Sequence, residues 1–246
     1  MKKIIIKAGI VGASGYTGGE LIRLLISHPF VDLKFALSKT KKNKKITDVF
    51  VDLTDETDIY FTDKIEKKID VLFLCSGHNK SKLFLEENHI DKSTRIIDLS
   101  QDFRNDNFFI KTKRKFIYGL PEINKSLIEK AYNIANPGCF ATAITLGLLP
   151  SVKNNIIDED IYTNAITGST GAGIIPQENT HYSWRNNNIS WYKPFEHQHL
   201  EEINNTLFIQ SKRKNNINLL TYRGPFTRGI YCNSYFKSNK SINEII

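Results

Sequence analysis

Seven residues, Gly12-Ala13-Ser14-Gly15-Tyr16-Thr17-Gly18, follow the apolar run Ile4 to Val11 and lead into a helix-like segment, Gly19 to Ser27. A glycine run between a strand and a helix narrows the possible folds sharply. Glycine lets the backbone turn tightly and lets an anion come close, and the helix start offers N–H donors. This G-x-x-G-x-x-G spacing in this context suits the βα turn of a dinucleotide-binding domain. Gly12, Ser14, Gly15, Tyr16, Thr17 and Gly18 are the candidate cofactor-binding residues. An ordinary tight βα turn is the plainer alternative.

The alternation continues. Val31 to Leu37, Val71 to Cys75 and Arg95 to Leu99 read as strands, and Asn79 to Asn88 as a helix. Strand and helix in turn predict a parallel sheet covered by helices. Lys39 to Thr57 is polar and poorly patterned, and reads as loop with at most a short element. From about residue 140 the texture changes to α+β, with strand-like runs at Ile217 to Tyr222 and Ile230 to Phe236. The expected organisation is a Rossmann-type domain over residues 1–139 and a substrate domain over 140–246.

The end of the second strand reports on the cofactor. An acid there would bind the ribose hydroxyls of NAD. This chain has Leu37-Ser38-Lys39-Thr40-Lys41-Lys42 instead. A hydroxyl and cations suit a 2′-phosphate, so NADP is expected, with Ser38 the best single contact. The net charge of +8 invites a nucleic-acid reading. The lysines are scattered, however, and the chain is rich in Asn, Ile and Lys throughout. No nucleic-acid partner is expected. No apolar run approaches the ~18 residues that span a bilayer, so no membrane association is expected either. Three widely spaced cysteines make no disulfide framework and point to a reducing cytoplasm.

One of those cysteines has a distinctive setting. Asn136-Pro137-Gly138-Cys139-Phe140-Ala141 places Cys139 after a turn and at the start of an apolar helix, Phe140 to Leu149, that Pro150 is expected to end. Free N–H groups and the helix dipole there favour the thiolate, the nucleophilic form. Cys75 and Cys232 sit in strand-like runs and read as small buried fillers. His197 and His199 form an H-x-H pair. They are either a metal fragment lacking its further ligands or acid–base groups beside the thiol. No metal site is expected. Ser100 and Arg104 lie in Asp98-Leu99-Ser100-Gln101-Asp102-Phe103-Arg104 at a strand end, where ligands gather in open α/β sheets. Asp98 or Asp102 holding Arg104 as a structural cap is an equal alternative. Arg185 and Lys193 read as spare cations for an anionic substrate.

Together these motifs resemble the N-acetyl-γ-glutamyl-phosphate reductases, within the wider group of aspartate-semialdehyde dehydrogenases. Gly12 to Gly18 with Glu20-Leu21, Asp98 to Arg104, Tyr118 to Glu122, Asn136 to Ala143, Gly168 to Gly173 and His197 to His199 with Glu202-Ile203 come in the family's order. The resemblance implies a Rossmann domain plus a substrate domain of the glyceraldehyde-3-phosphate dehydrogenase type. It implies NADPH, with Gly171 also at the cofactor, and a homo-oligomer, dimer or tetramer. It implies reduction of N-acetyl-γ-glutamyl phosphate to the semialdehyde in arginine biosynthesis. The route is a Cys139 thioester, with phosphate released. His199 is then the first choice of acid–base and His197 the second, and Ser100, Arg104, Arg185 and Lys193 would hold the substrate. Alternatives are a sister reductase acting on N-succinyl-glutamyl, aspartyl or carrier-linked aminoadipyl phosphate, or an inactive fragment. Two departures stand out. Leu200-Glu201 replaces the family's proline-containing pair, and the family's closing strand and glycine-rich helix have no counterpart before Ile246. On that reading the chain is an N-terminal fragment or a shortened gene product, and residues 1–246 alone are expected to be poorly soluble and weakly active.

Overall fold

Strand β1 (Ile6–Val11) carries Ala8, Ile10 and Val11, all buried, and turns at Gly12 into helix α1 (Tyr16–Ile26). The computed structural model describes residues 4–105 and 114–245. It divides into two compact units, Met1–Pro137 and Gly138–Ile246.

The first unit is built on one sheet. After β2 (Val31–Leu37) come β3 (Phe61–Thr62), β4 (Val71–Leu74), β5 (Arg95–Asp98), β6 (Ile117–Tyr118) and β7 (Asn133–Ala135). Their order is β3-β2-β1-β4-β5-β7-β6, and every pairing is parallel. A parallel sheet buries both faces, so its strands are near-continuously apolar. Two cores result. Ile10 packs with Ile22, Leu25, Ile46, Phe50 and Phe61, and Val11 packs with Phe35, Leu37, Leu72, Leu74 and Ile96. Gly9 permits the second. A Cβ there would lie 2.3 Å from the Phe35 ring, so only glycine lets that ring lie against β1.

The stretch from Lys39 to Thr57 holds more order than its polarity suggests. It forms two short 3-10 turns, Ile46–Asp48 and Val51–Leu53. Ile46, Phe50 and Leu53 are buried against the α1 side of the sheet. Their spacing of four and three is helical, and the charged residues between them hide it. Helix α2 (Lys80–Glu87) starts at Asn79 in the left-handed region. Its N-terminus is capped from a distance: the Asn79 and Lys82 amides donate to the Asp102 carboxylate at 2.6 and 3.1 Å. Helix α3 (Pro121–Lys130) begins on a proline, where the missing N–H removes no helical bond.

The second unit is a four-stranded mixed sheet backed by two helices. Its strands are β8 (Ile161–Thr167), β9 (Ser190–Tyr192), β10 (Ile217–Arg223) and β11 (Ile230–Phe236), in the order β11-β8-β10-β9. β8 and β10 are parallel, and the edge pairings are antiparallel. Helix α4 (Cys139–Lys153) packs Phe140, Ile144, Leu148 and Val152 onto Ile161, Ala165 and Leu219. A short helix α5 (Tyr182–Arg185) precedes β9, and α6 (His199–Ser211) adds Ile203 and Leu207 to the same core. Contrary to expectation, Pro150 does not end α4, which continues to Lys153. Pro150 is on the exposed side, and its carbonyl accepts from both the Asn154 backbone and its side-chain amide at 3.2 and 2.8 Å. Burial of Leu149 and Val152 on either side offsets the one amide bond that proline removes.

Candidate functional site

In the first unit the glycine loop has the shape an anion needs. Gly12 has φ +79°, and a Cβ there would lie 2.6 Å from the Cys75–Ser76 backbone. A Cβ on Gly18 would lie 2.6 Å from the Ala13 backbone, so the helix start and the loop touch. Around Gly15, by contrast, a Cβ would meet only the Gly12 carbonyl at 3.6 Å. Gly15 is the N-cap of α1, and among the described residues no side chain caps it. The first turn, Tyr16-Thr17-Gly18-Gly19, carries no acid. The first helical N–H groups have no acceptor within the helix itself. This cradle fits a pyrophosphate. At the end of β2, Ser38 is buried with its Oγ 2.7 Å from Ser14 Oγ and 3.4 Å from Thr40 Oγ1. Lys42, one of the expected cations, pairs with Asp63 at 2.6 Å.

The strand-end segment of β5 is largely self-satisfied. Ser100 donates to Asp98 Oδ2 at 2.7 Å and accepts from the Asp102 amide at 3.0 Å. Arg104 donates from Nε to the Asn136 carbonyl at 2.9 Å and from Nη2 to the Leu99 carbonyl at 3.2 Å. It thus braces the strand end that runs into Pro137. Burial pushes the Asp98 carboxyl up, and it pushes the Cys75 thiol up to about 12, helped by the nearby Asp98. Cys75 therefore stays protonated. Half-buried Cys232 is also raised by burial.

The thiol site lies in the second unit. Cys139 is exposed and is the first residue of α4. Its N-cap, Gly138, has extended backbone (φ −65°, ψ 151°) and accepts from the Thr142 amide at 2.8 Å. The Gly138 amide donates to Glu202 Oε1 at 2.8 Å. Glu202 is buried on α6, one turn beyond His199, so a carboxylate of α6 fixes the start of α4. His197 and His199 are both buried, with ring centroids 4.8 Å apart. Phe140, next to the thiol, meets their rings edge-on at 4.9 and 6.3 Å. The two histidines are not equivalent. His197 Nδ1 accepts the His199 amide at 3.2 Å and so caps the entry to α6. Burial lowers His197 to about 4, with the His199 and Lys193 charges acting the same way. It is a neutral imidazole at neutral pH, with its proton on Nε2 by the logic of that hydrogen bond.

This has a pH consequence. The His197 ring takes up a proton near its ordinary 6.5 in the unfolded chain but only near 4 in the fold. Its contribution is intact above about pH 6.5 and is lost as pH falls toward 4. Between about pH 7 and pH 4.5, unfolding of the second unit should lose about 2–3 kcal/mol more in the parent than in His197→Gln. Equal losses in denaturant titrations would show that His197 protonates freely in the fold.

The other expected residues divide. Lys193 Nζ donates to Gln198 Oε1 at 2.8 Å, just ahead of the histidines. Gly171 is exposed in a 3-10 turn, Ser169–Ala172, with only Thr167 Oγ1 near its Cβ position at 3.4 Å. Arg185 is not a spare cation. It is buried, and all its N–H directions are taken by the carbonyls of Asn179, Asn188 and Arg223 and by Ser190 Oγ. Among the described residues no group of three or more His, Cys, Asp or Glu is placed to hold a metal ion. Nor is any helix long and apolar enough to cross a membrane.

Comparison with known proteins matches this geometry to a family. Residues 7–131 match the semialdehyde dehydrogenase NAD binding domain, and 139–245 match the semialdehyde dehydrogenase dimerisation domain. An N-acetyl-gamma-glutamyl-phosphate reductase of Phocaeicola vulgatus is 49% identical over 98% of this chain and 74% of its own length. The chain belongs to the N-acetyl-gamma-glutamyl-phosphate reductase family. A further reductase, from Christiangramia forsetii, is 47% identical with the same coverage. The chain thus spans about three quarters of these relatives' length. Solved structures agree on the fold. Aspartate semialdehyde dehydrogenase II of Vibrio cholerae aligns with a TM-score of 0.71 at 16% identity, covering 98% of this chain and 77% of that one. The Candida albicans enzyme, solved with NADP, aligns at 0.65 and 16% identity, covering 98% and 75%. Leu200-Glu201, the expected departure after the histidine pair, follows His199 into α6 without disturbing its start. Glu201 and Glu202 both lie in the first turn of α6, where acids suit the dipole, and Glu202 reaches Gly138.

Sequence reasoning assigned no role to Glu202, Tyr192 or Arg223. Glu202 was findable, since it stands three residues after His199 on the same helical face. Tyr192 and Arg223 left no comparable trace. They meet across β9 and β10, where the Arg223 guanidinium lies 4.8 Å from the Tyr192 ring centre.

Proposed function

We propose that this chain reduces an N-acyl-γ-glutamyl phosphate, the N-acetyl form first, to its semialdehyde with NADPH, as a homo-oligomer in a reducing cytoplasm. The observation that carries this is the start of α4. An exposed thiol stands on a helix N-terminus whose preceding amide is pinned by Glu202, with two buried histidines packed on the adjoining Phe140.

The chemistry follows from those groups. The N-terminal dipole of α4 stabilises the Cys139 thiolate. The thiolate attacks the acyl carbon, and the C–O bond to phosphate breaks. Phosphate leaves with the electron pair and takes up one proton from solvent, and a thioester remains on Cys139. The N–H groups of the first turn of α4 are suited to the carbonyl oxygen as it gains charge. Reduced nicotinamide, when bound, supplies the hydride that brings the acyl group to the aldehyde level. The Gly12–Gly18 loop would hold its pyrophosphate, and Ser38 with Ser14 and Thr40 a 2′-phosphate. His199 protonates the resulting oxyanion and takes the proton back as the C–S bond breaks, returning Cys139 as thiolate. His197 keeps the His199 amide and the helix entry in place.

Because the relatives are longer, turnover is best measured on two proteins. One is the 246-residue chain, and the other is a chimera carrying the C-terminal quarter of the P. vulgatus relative. NADPH oxidation and phosphate release should be equimolar and should require the acyl phosphate. Absence of both from both proteins would sink the reading. The cofactor choice has its own test. NADPH should bind more tightly than NADH, and Ser38→Asp should shrink the gap by about tenfold or more, the worth of one charge-assisted contact. Equal affinities in the parent would contradict the NADP assignment.

A further inference from the structure

Arg223 is an arginine with donor capacity to spare. It closes β10, and among the described residues its Nε is buried and has no hydrogen-bond partner. A buried N–H without an acceptor is costly, and native proteins keep few of them. Such a group suits a site that a ligand completes.

Its surroundings say what kind of ligand. Arg185 lies beside it with every donor engaged, one of them on the Arg223 carbonyl at 2.6 Å. Arg185 also bonds Ser190, which pairs with Arg223 across β9 and β10. Arg185 therefore fixes the strand end on which Arg223 stands. The Arg185 guanidinium lies against the Arg223 backbone, and the Arg223 guanidinium lies over the Tyr192 ring. Arg185 is held below its usual range by burial first and then by the like charge of Arg223. Among the described residues neither forms an ion pair with a carboxylate. Positive charge without a carboxylate partner, with a donor of Arg223 still open, suits an oxyanion.

The site belongs with the thiol. Tyr192 packs under the Arg223 guanidinium, and its ring centre is 5.9 Å from that of His197. His197 in turn touches Phe140, the neighbour of Cys139. Burial raises the Tyr192 phenol, Arg223 opposes that rise, and the Cys139 thiol adds to it, so both groups act on one hydroxyl.

We infer that Arg223, set by Arg185 and flanked by Tyr192, binds an oxyanion of the substrate, its carboxylate or its phosphoryl group, at the thiol site of the second unit. This rests on the reductase reading for the identity of the substrate. The acyl phosphate carries both groups, whereas the aldehyde product keeps only the carboxylate.

The test is calorimetric and needs no turnover. The 246-residue chain is titrated separately with N-acetylglutamate and with inorganic phosphate. Arg223→Met should weaken one of these by roughly tenfold to a hundredfold, and Arg223→Lys should weaken the same one by less, because lysine keeps the charge but not the fork. NADPH affinity and melting temperature should hold. Loss confined to N-acetylglutamate assigns the carboxylate, and loss confined to phosphate assigns the phosphoryl group. If Arg223→Met does not fold, Arg223→Lys carries the comparison. Unchanged affinities in the folded variant, or no binding of either anion by the parent, overturn the inference. Turnover lost from parent and chimera alike would instead sink the reductase reading, and the anion titrations would still decide Arg223.

Discussion

Replacing Cys139 with serine should remove reductase turnover by on the order of 10³-fold or more while leaving NADPH affinity unchanged. The two halves of that result come from different parts of the chain. On the proposed reading, cofactor affinity belongs to the Gly12–Gly18 loop and the Ser38 cluster in the first unit. The proposed nucleophile is in the second unit, on a helix start without an acid in its first turn. Serine there is isosteric but does not ionise at neutral pH, so the helix dipole has no anion to stabilise. The other thiols are internal controls. Cys75 is protonated far above neutral pH by burial, and Cys232 is raised in the same way. Serine at either site should cost stability through a buried hydroxyl, about 1–3 kcal/mol at most, with turnover per folded molecule kept. The measurement is NADPH oxidation in the chimera and the 246-residue chain, with active-site thiols counted by alkylation. Near-normal turnover by Cys139→Ser would remove the thioester from the mechanism altogether.

Much of the fold was legible because local patterns were strong. Val31–Leu37 and Ile230–Phe236 are observed with the boundaries their apolar runs suggest. The glycine loop, the helix after it and the turn before Cys139 were readable for the same reason, since glycine and proline punctuate locally. What escaped was set by distant partners. β8 reads Ile-Tyr-Thr-Asn-Ala-Ile-Thr, and its buried positions include Thr163 and Thr167. No hydrophobic count marks it, and it is a strand because β10 and β11 pair on either side of it. Pro150 looked like a stop, but buried neighbours carry α4 past it. The site shows the same division. Cys139 and the histidine pair announce themselves by residue type and spacing. Which arginine is spent and which is available is not a sequence property. Arg185 is used up by the Asn179 and Asn188 carbonyls close by in the chain and by the Arg223 carbonyl, which only the folded β9–β10 edge brings to it. Asp102 likewise reads as a strand-end acid and is found capping α2 from twenty residues away.

His199→Asn should lower turnover by about 10²–10⁴-fold with little change in substrate binding, whereas His197→Asn should act mainly on stability and on the placement of α6. The distinction rests on what each ring already does. His197 has its Nδ1 engaged by the His199 amide, and burial lowers it to about 4, so near pH 7 it holds no proton that it can readily release and recover. A group matched to proton transfer at working pH needs a pKa near that pH. His199 is the other imidazole of the pair, set on the same helix as Glu202, whose carboxylate pins the Gly138 amide before the thiol. Helix α6 therefore carries both the proposed proton carrier and the clamp on the nucleophile's turn. The two variants should separate in the pH–rate profile of kcat. His199→Asn should flatten the limb that reports the acid, because asparagine can donate a hydrogen bond but cannot give up and regain a proton. His197→Asn should keep the limb and lower the melting temperature, since asparagine Oδ1 can still accept the His199 amide but the ring packing on Phe140, Tyr192 and His199 is lost. If His197→Asn produces the kinetic loss and His199→Asn does not, the roles are exchanged, and the low His197 pKa would belong only to the unliganded site. If both profiles stay intact, the proton comes from water or from the Tyr192 phenol. Burial already keeps that phenol protonated well above neutral pH.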